Sequence, residues 1–211
     1  MMMLKNYRVL LWDFDGVIKE SVDVKTQAYI ELFQDYGADV AEQVRYHHET
    51  NGGMSRFEKL PLYLKWAGEV SHSSRVGQFC DKFASMVVKE VIKAPWVPGV
   101  EGYLRSNPYG QIFILVSATP QDELIKILSS LCLLSCFTHI YGAPTPKRDA
   151  LRTVLQMLHL SPEHCLMIGD ADVDFDAANA NDVPFLLRRH ATNGDVFVHY
   201  TGPSVNDFSM L

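Results

Sequence analysis

An early apolar run of the chain is Tyr7-Arg8-Val9-Leu10-Leu11-Trp12, and it leads directly into Asp13-Phe14-Asp15-Gly16. Residues 7–12 are largely apolar and favour β-structure, which predicts a buried parallel strand. Two carboxylates follow the strand, and the glycine behind them permits a sharp turn. Because loops at the carboxyl ends of parallel strands form the ligand sites of open α/β sheets, both carboxylates are expected to face one site.

Four later segments repeat the pattern of an apolar run that ends in polar residues, glycine or both. They span residues 111–116, 138–141, 165–168 and 184–187. Amphipathic helical patterns alternate with them at 121–134, 149–158 and 172–180. This alternation of strands and helices predicts an α/β fold whose core is a doubly wound parallel sheet.

Residues 19–95 break the alternation, because they contain helical patterns and no convincing buried strand. The helical patterns span 22–35, 56–66 and 76–92. A helical block between the first two strands predicts an inserted helical cap domain at 19–95. The α/β core then comprises residues 1–18 and 96–211. An oversized crossover connection is the alternative, although crossovers are usually a single helix.

Charge and composition exclude some classes of function. The 211 residues include 19 basic and 25 acidic side chains, which give a formal net charge of −6. This balance argues against a nucleic-acid or anionic-membrane partner. The four cysteines form no Cys-x-x-Cys pair and are expected to be free, buried thiols. The apolar run 9–12 is too short for a signal sequence or a membrane span, so a soluble, cytoplasmic protein is expected.

The paired aspartates at the end of the first strand suit phosphoryl transfer. Asp13 and Asp15 would repel each other unless a cation or a proton neutralises one of them. Phosphoryl transfer can use such a pair, because one carboxylate attacks as a nucleophile while the other gives and takes a proton. Asp-x-Asp-Gly alone also occurs in calcium loops and ordinary turns, so this interpretation depends on the other loops.

Three further loops bring suitable residues to the same sheet edge. Asp170 ends the fourth predicted strand, and Asp174 follows four residues later. Carboxylate oxygens without nearby His or Cys favour Mg²⁺ over zinc. Ser117 ends the second strand just before a helix, where a hydroxyl and free amides can bind phosphate. Lys147 precedes another helix in a proline-rich loop that could hold its ammonium toward the site.

These motifs, in this order, resemble those of the haloacid dehalogenase (HAD) superfamily. Asp13-Phe14-Asp15-Gly16-Val17 is similar to its first motif, Ser117 to its second, Lys147 to its third, and Gly169-Asp170 with Asp174 to its fourth. The insertion after the first motif is similar to the helical (C1-type) cap of β-phosphoglucomutase and phosphoglycolate phosphatase-like members. The resemblance implies a HAD-like Rossmannoid core and phosphate-ester chemistry.

The resemblance implies a role for each motif residue. Asp13 is the implied nucleophile that forms an aspartyl-phosphate, and Asp15 is the implied acid and base. The implied Mg²⁺ ligands are Asp13, the backbone carbonyl of Asp15, Asp170 and Asp174. The implied phosphate-binding residues are Ser117, Ala118 and Lys147. Because members that cleave carbon–halogen or carbon–phosphorus bonds lack a carboxylic acid at the second aspartate, Asp15 implies a phosphate ester as substrate.

A glycine-rich loop at 51–56 lies within the predicted cap. It is similar to the Gly-x-Ser-Arg substrate loop of β-phosphoglucomutase and related capped phosphatases. The resemblance implies that Gly53 and Arg56 contact the non-reacting part of the substrate, with Lys59 as a weaker candidate. The alternative is a glycine turn with a helix-capping Ser55 and a surface Arg56.

The expected function is a Mg²⁺-dependent phosphatase for a small phosphorylated metabolite, a sugar or hydroxy-acid phosphate, acting as a monomer or homodimer. A phosphomutase of the β-phosphoglucomutase type uses the same core residues and is the alternative. A binding or regulatory module without catalysis is a third hypothesis, against which the intact aspartates and lysine argue.

Two parts of the chain carry no predicted chemistry. His47 and His48 are interpreted as partly exposed structural residues. In the C-terminal segment 191–211 we expect a short strand at 196–200 and a docked tail at 204–211.

Overall fold

The computed structural model describes residues 4–210, and within them a six-stranded sheet forms the centre of the molecule. The strands are β1 (Val9–Trp12), β2 (Ile112–Pro120), β3 (His139–Ala143), β4 (Cys165–Gly169), β5 (Phe185–Arg188) and β6 (Ser204–Val205). Their order is β3-β2-β1-β4-β5-β6, and every neighbouring pair is parallel. The predicted α/β fold with a parallel sheet is confirmed.

Strand β1 lies in the middle of the sheet, where Val9 is opposite both Ile112 of β2 and Cys165 of β4. All four of its residues are buried. Leu10 and Trp12 pack into the layer on one face, whereas Val9 and Leu11 pack into the layer on the other. Because both faces are covered, the strand has a continuous apolar sequence instead of an alternating one. This position places the residues after Trp12 at the centre of the sheet edge.

The described residues form eight α-helices. They are α1 (Val22–Phe33), α2 (Ala38–Thr50), α3 (Arg56–Trp66), α4 (Ser73–Lys93), α5 (Val100–Ser106), α6 (Gln121–Ser130), α7 (Lys147–Leu158) and α8 (Asp172–Asn179). Helices α6, α7 and α8 follow β2, β3 and β4, as the alternation predicts. Helix α2 was not predicted from the sequence, because Val44 and His48 are its only buried residues and its apolar pattern is weak.

Helices α1 to α4 form a helical block between β1 and β2. The block has an aromatic centre, in which the ring centroids of Tyr29 and Phe83 are 4.1 Å apart and those of Phe33 and Tyr63 are 5.7 Å apart. A single crossover helix could not bury such a centre. This arrangement supports the inserted cap, whose domain bounds stay a prediction.

The C-terminal segment differs in part from expectation. Residues 196–199 form turns, and Val196 and Val198 are exposed, so the prediction of a strand at 196–200 is wrong. The docked tail is observed at Phe208, which is buried, whereas Met210 is exposed and Leu211 lies outside the described residues. The Phe208 ring is 5.4 Å from that of Trp12, and the Phe208 N–H donates to the Pro98 carbonyl at 2.8 Å. The tail therefore covers the core beside β1.

The four cysteines differ in their exposure to solvent. All four cysteines are unpaired, but Cys165 is buried whereas Cys132 is exposed and Cys80 and Cys136 are half-buried. The expectation of four buried thiols is therefore wrong.

None of the helices within residues 4–210 has both the length and the apolar character needed to cross a bilayer.

Candidate active site

The loop after β1 places Asp13 at the sheet edge. Its backbone N–H donates to the Ile168 carbonyl at 2.9 Å, which extends the pairing of β1 with β4 by one residue. Gly16 has a φ of +76°, and a Cβ atom there would lie 2.2 Å from Oδ2 of Asp170. Both the backbone angle and the close approach require glycine at this position.

A cluster of buried charges surrounds Asp13. The Lys147 Nζ, at the first residue of α7, lies 2.9 Å from Asp13 Oδ1 and 2.6 Å from Asp174 Oδ1. Asp13, Asp170 and Asp174 each offer a carboxylate oxygen, and these oxygens lie within 4.8 Å of one another. Three carboxylates around one ammonium leave an excess of negative charge, so this group could hold a cation.

The electrostatics of the cluster follow from its burial. Burial raises the pKa of Asp13 well above its usual range, and Asp174 and Asp170 add to this shift while Lys147 opposes it. Burial likewise raises the pKa of Asp174 to about 6. For Lys147, burial alone would lower the pKa, but the two carboxylates outweigh it and raise the pKa above its usual value. Lys147 is therefore a permanent cation of the site.

Asp15 has different surroundings from Asp13. Its carboxylate accepts hydrogen bonds from the hydroxyls of Ser21 at 2.6 Å and Thr119 at 3.0 Å, and it forms an ion pair with Lys25 of α1. Burial alone would raise the pKa of Asp15, but Lys25 and these hydrogen bonds lower it. Two neighbouring aspartates with opposite pKa shifts are suited to different chemical roles.

The loop at the end of β2 lies next to Asp15. Ser117 is buried, and its hydroxyl accepts a hydrogen bond from the Thr119 N–H at 3.1 Å. The Thr119 hydroxyl also accepts from Lys25 at 2.9 Å. Thr119 and Lys25 were missed in the sequence. Lys25 lies on the first predicted helix, shortly after the Asp-x-Asp loop. This closeness of a cation to two carboxylates was the only signal in the sequence that could have identified it.

Asp170 is held by residues beyond β5. The His190 Nε2 lies 2.8 Å from Asp170 Oδ2, and the Asn193 side chain donates to the Asp170 carbonyl at 2.9 Å. Neither His190 nor Asn193 was predicted, because nothing in the sequence indicates that this segment returns to the end of β4.

A small cavity of about 40 Å³ lies between this sheet edge and the helical block. Seven residues predicted for the site line it: Asp13, Asp15, Gly53, Arg56, Ala118, Lys147 and Asp170. Ser117 and Asp174, which were also predicted, do not line the cavity itself. A wider groove of about 920 Å³ shares Gly53, Ala118 and Lys147 with the cavity and extends along α7 and α8.

Comparisons with known proteins place this chain in a family. The sequence profile of the haloacid dehalogenase-like hydrolases matches residues 10–187, from β1 to β5. The chain belongs to the haloacid dehalogenase-like hydrolase family. The predicted superfamily is thus confirmed, and the expectation of an enzyme is confirmed at the level of a hydrolase.

Three individual relatives share between 20% and 25% of their aligned residues with this chain. Phosphoglycolate phosphatase of Pseudomonas putida is 25% identical over 190 residues, which cover 83% of this chain and 67% of the relative. Phosphoglycolate phosphatase of Colwellia psychrerythraea is 23% identical over 212 residues, which cover 96% of this chain and 93% of the relative. The crystal structure of β-phosphoglucomutase from Clostridium difficile has a TM-score of 0.76 at 20% identity, covering 97% of this chain and 93% of that one.

In this haloacid dehalogenase-like hydrolase, Arg56 lies at the start of α3 and is 4% exposed. Its guanidinium donates to both carboxylate oxygens of Glu123 at 2.7 Å and lies 4.5 Å from the centroid of the Phe83 ring. The alternative of a surface arginine is therefore wrong, whereas a contact between Arg56 and substrate stays a prediction. Ser55 is the N-cap residue of α3, as that alternative predicts, and its backbone N–H donates to the Glu58 side chain at 3.1 Å.

Two further residues of the helical block are buried in this hydrolase. From the sequence, His48 was not assigned to the site and Lys59 was only a weaker candidate. His48 is 3% exposed and Lys59 is 1% exposed, and both line the cavity. The Lys59 Nζ lies 2.7 Å from His48 Nδ1. The interpretation of His48 as a partly exposed residue is wrong, because α2 turns this side chain toward α3 and the cavity.

Proposed function

We propose that this hydrolase is a Mg²⁺-dependent phosphatase that releases phosphate from a small monoester through a phosphorylated Asp13. The contrast between the two aspartates carries this proposal. Asp13 lies in the carboxylate cluster beside Lys147, whereas Asp15 is held apart by Lys25, Ser21 and Thr119. One carboxylate is thus placed to attack and the other to transfer protons.

The donor set of the cluster fits Mg²⁺. Asp13, Asp170 and Asp174 offer oxygen atoms, which this hard cation prefers, and one ammonium does not balance three buried carboxylates. We propose that these side chains and the backbone carbonyl of Asp15 hold the ion. When bound, Mg²⁺ would neutralise charge on the phosphate oxygens and keep Asp13 ionised.

In the first step an Asp13 carboxylate oxygen attacks phosphorus, and the bond from phosphorus to the alcohol oxygen breaks. Asp15 donates a proton to the departing oxygen, which leaves as the alcohol. Asp15 needs a proton for this step, and the negative charge of the incoming phosphate raises its pKa and so favours protonation. Lys147 stabilises the charge that spreads over the phosphoryl oxygens.

In the second step water attacks the phosphorylated Asp13. Asp15, now a carboxylate, takes the proton of the attacking water, and the bond between phosphorus and the Asp13 oxygen breaks. Inorganic phosphate leaves, and Asp13 regains its carboxylate. The hydrogen bonds and the ion pair that lower the pKa of Asp15 favour the ionised form that this step needs.

Two kinds of observation bear on the substrate. The relatives named phosphoglycolate phosphatase support a phosphorylated hydroxy acid. The groove beside the cavity favours a second candidate, a phosphomutase acting on a sugar phosphate, because an intermediate needs room to turn before it reacts again. Conversion of a sugar phosphate to its isomer without phosphate release would identify the mutase.

Acid quenching during turnover tests the proposal. Mixing the protein with Mg²⁺ and a phosphate ester and quenching in acid should leave a phosphoryl group on the peptide that contains Asp13, detectable by mass spectrometry. The Asp13→Asn variant should leave none. A phosphoryl group on another residue, or hydrolysis without any phosphorylated peptide, would contradict the mechanism.

A further inference from the structure

Three cationic side chains of the helical block line the same cavity as Asp13: Lys25, Arg56 and Lys59. Lys25 forms an ion pair with Asp15, and Arg56 forms one with Glu123. Lys59 differs, because no carboxylate within residues 4–210 lies at ion-pair distance from its Nζ. Among the three, Lys59 is the one that can offer its charge to a ligand.

The surroundings of Lys59 are unusual for a lysine. It is 1% exposed, and its hydrogen bond to His48 Nδ1 is the only one that its Nζ makes among the described residues. Burial lowers the pKa of His48 well below its usual range, so the imidazole is a neutral acceptor. A buried ammonium with one neutral partner costs free energy, which an anionic ligand would offset.

We propose that Lys59 binds a carboxylate on the leaving group of the phosphate ester and that His48 is the residue that positions it. This inference rests on the proposed phosphatase and names its substrate class, a phosphorylated hydroxy acid. The Nζ can donate three hydrogen bonds, of which His48 takes one, so two remain for carboxylate oxygens. The phosphate would then lie at Asp13 and Lys147, and the carboxylate at Lys59.

The volume of the cavity narrows this class further. The cavity that Lys59 lines is small, about 40 Å³. With the helical block in this position, a short hydroxy acid suits the space beside Lys59 better than a sugar does. This recognition does not require Arg56, whose charge is already paired with the Glu123 carboxylate through its two terminal nitrogens.

Two esters with the same carbon skeleton test the inference. Phosphoglycolate carries the carboxylate, whereas ethyl phosphate has a methyl group in its place. The kcat/KM for each, and the Kd for each from calorimetry, are measured for the wild type, Lys59→Met and Lys65→Met. Lys65 is the matched control, because it is an exposed lysine on the same helix.

The expected result is a wild type that prefers phosphoglycolate, in both kcat/KM and Kd. Lys59→Met should reduce that preference about 10- to 100-fold, the size of a hydrogen bond between charged groups, while Lys65→Met leaves it unchanged. His48→Ala should reduce this preference by a smaller factor, because it removes the hydrogen bond that positions the Lys59 ammonium but keeps the ammonium itself. Thermal unfolding of each variant confirms that it is folded.

The two proposals fail in different ways. If the wild type hydrolyses both esters equally well, or if Lys59→Met lowers kcat/KM for both esters by the same factor, the proposed carboxylate site is overturned. The proposed phosphatase activity is then still supported. If the wild type hydrolyses neither ester but binds phosphoglycolate in a Lys59-dependent manner, the site stands and the phosphatase is overturned. Absence of both hydrolysis and Lys59-dependent binding overturns the site as well.

Discussion

Arg56 and Glu123 form a bidentate ion pair in which both nitrogen–oxygen distances are 2.7 Å. Arg56 belongs to α3 of the helical block, whereas Glu123 lies in the first turn of α6, directly after β2. The side chains are only 4% and 15% exposed. This pair therefore fixes the helical block to the sheet edge beside the cavity, and its geometry offsets the cost of removing both charges from water.

Breaking this pair should destabilise the protein. Glu123→Gln leaves a buried guanidinium without its carboxylate, so the free energy of unfolding should fall by about 3 kcal/mol. Urea denaturation measures this free energy. The double variant Arg56→Met, Glu123→Met should lose less stability than the sum of the losses in the single variants Arg56→Met and Glu123→Met. The exposed pair Glu101–Arg105 is the control, where Glu101→Gln should cost less than about 1 kcal/mol. Additive single effects would contradict a direct coupling of Arg56 and Glu123.

The buried amine of Lys59 predicts a pH-dependent stability. Burial, with a contribution from Lys25, lowers its pKa from 10.5 to about 7. Between these two values the unfolded chain binds more protons than the folded one, so the stability due to this group rises with pH and is lowest below pH 7. The charged or titratable groups around it are Lys25, Asp15, Asp172, Glu58 and His48.

The variant Lys59→Met removes this titration. Relative to the wild type it should be most stabilised near pH 6, and this advantage should shrink by about 2 kcal/mol at pH 9. Urea denaturation at the two pH values gives the comparison. A gain in stability together with a loss of phosphoglycolate hydrolysis is typical of a residue kept for function. An advantage that does not change with pH would show that Lys59 is not a titrating buried amine.

Gly16 offers a test of the loop that carries the aspartates. Gly16→Ala should lower phosphate release about 100-fold, because the new Cβ would displace the Asp170 carboxylate from its position. Gly68→Ala is the control, since Gly68 has a φ of +74°, close to the +76° of Gly16, and open space around it. Both variants should lose about 1 kcal/mol of stability from backbone strain. Equal activity in the two variants would mean that the contact with Asp170 has no consequence.

His190 should influence the proposed Mg²⁺ site through Asp170. His190→Ala removes the contact at 2.8 Å, and the Mg²⁺ concentration for half-maximal phosphate release should rise about 10-fold. His190→Gln can keep a hydrogen bond to the carboxylate and should change less. His199→Ala, at an exposed position, is the control. An unchanged Mg²⁺ dependence in His190→Ala would show that Asp170 does not need this partner.

Much of the core could be predicted because its signals are local. Each of the five predicted strands is a short apolar run with polar residues or glycine at its end, and all five are present within two residues of the expected starts. Asp13 and Asp170 follow such strands directly, and Lys147 begins the helix that follows β3, so the parallel sheet brings all three to one edge. The prediction of a metal site at this edge is consistent with the carboxylate cluster, and the ion itself stays a proposal.

The contacts across the cavity could not be predicted, since they depend on how the helical block lies on the sheet. Glu123 is one of two acidic residues in the first turn of α6, and nothing in the sequence identifies it as the partner of Arg56. Likewise His48 and Lys59 lie on different helices, and their contact depends on the angle between α2 and α3. Asp15 was predicted as an acid and base, but its ion pair with Lys25 was not predicted.

Phosphate release from phosphoglycolate, measured with Mg²⁺ and with EDTA in the wild type and in Asp13→Asn, tests whether Asp13 is the nucleophile of a metal-dependent phosphatase. Asn is nearly the same size as Asp and cannot attack phosphorus as a carboxylate does, so the variant should fold and release no detectable phosphate. The wild type should release phosphate with Mg²⁺ and stop in EDTA. Release by Asp13→Asn at the wild-type rate, or release by the wild type that is unaffected by EDTA, would contradict the proposed function.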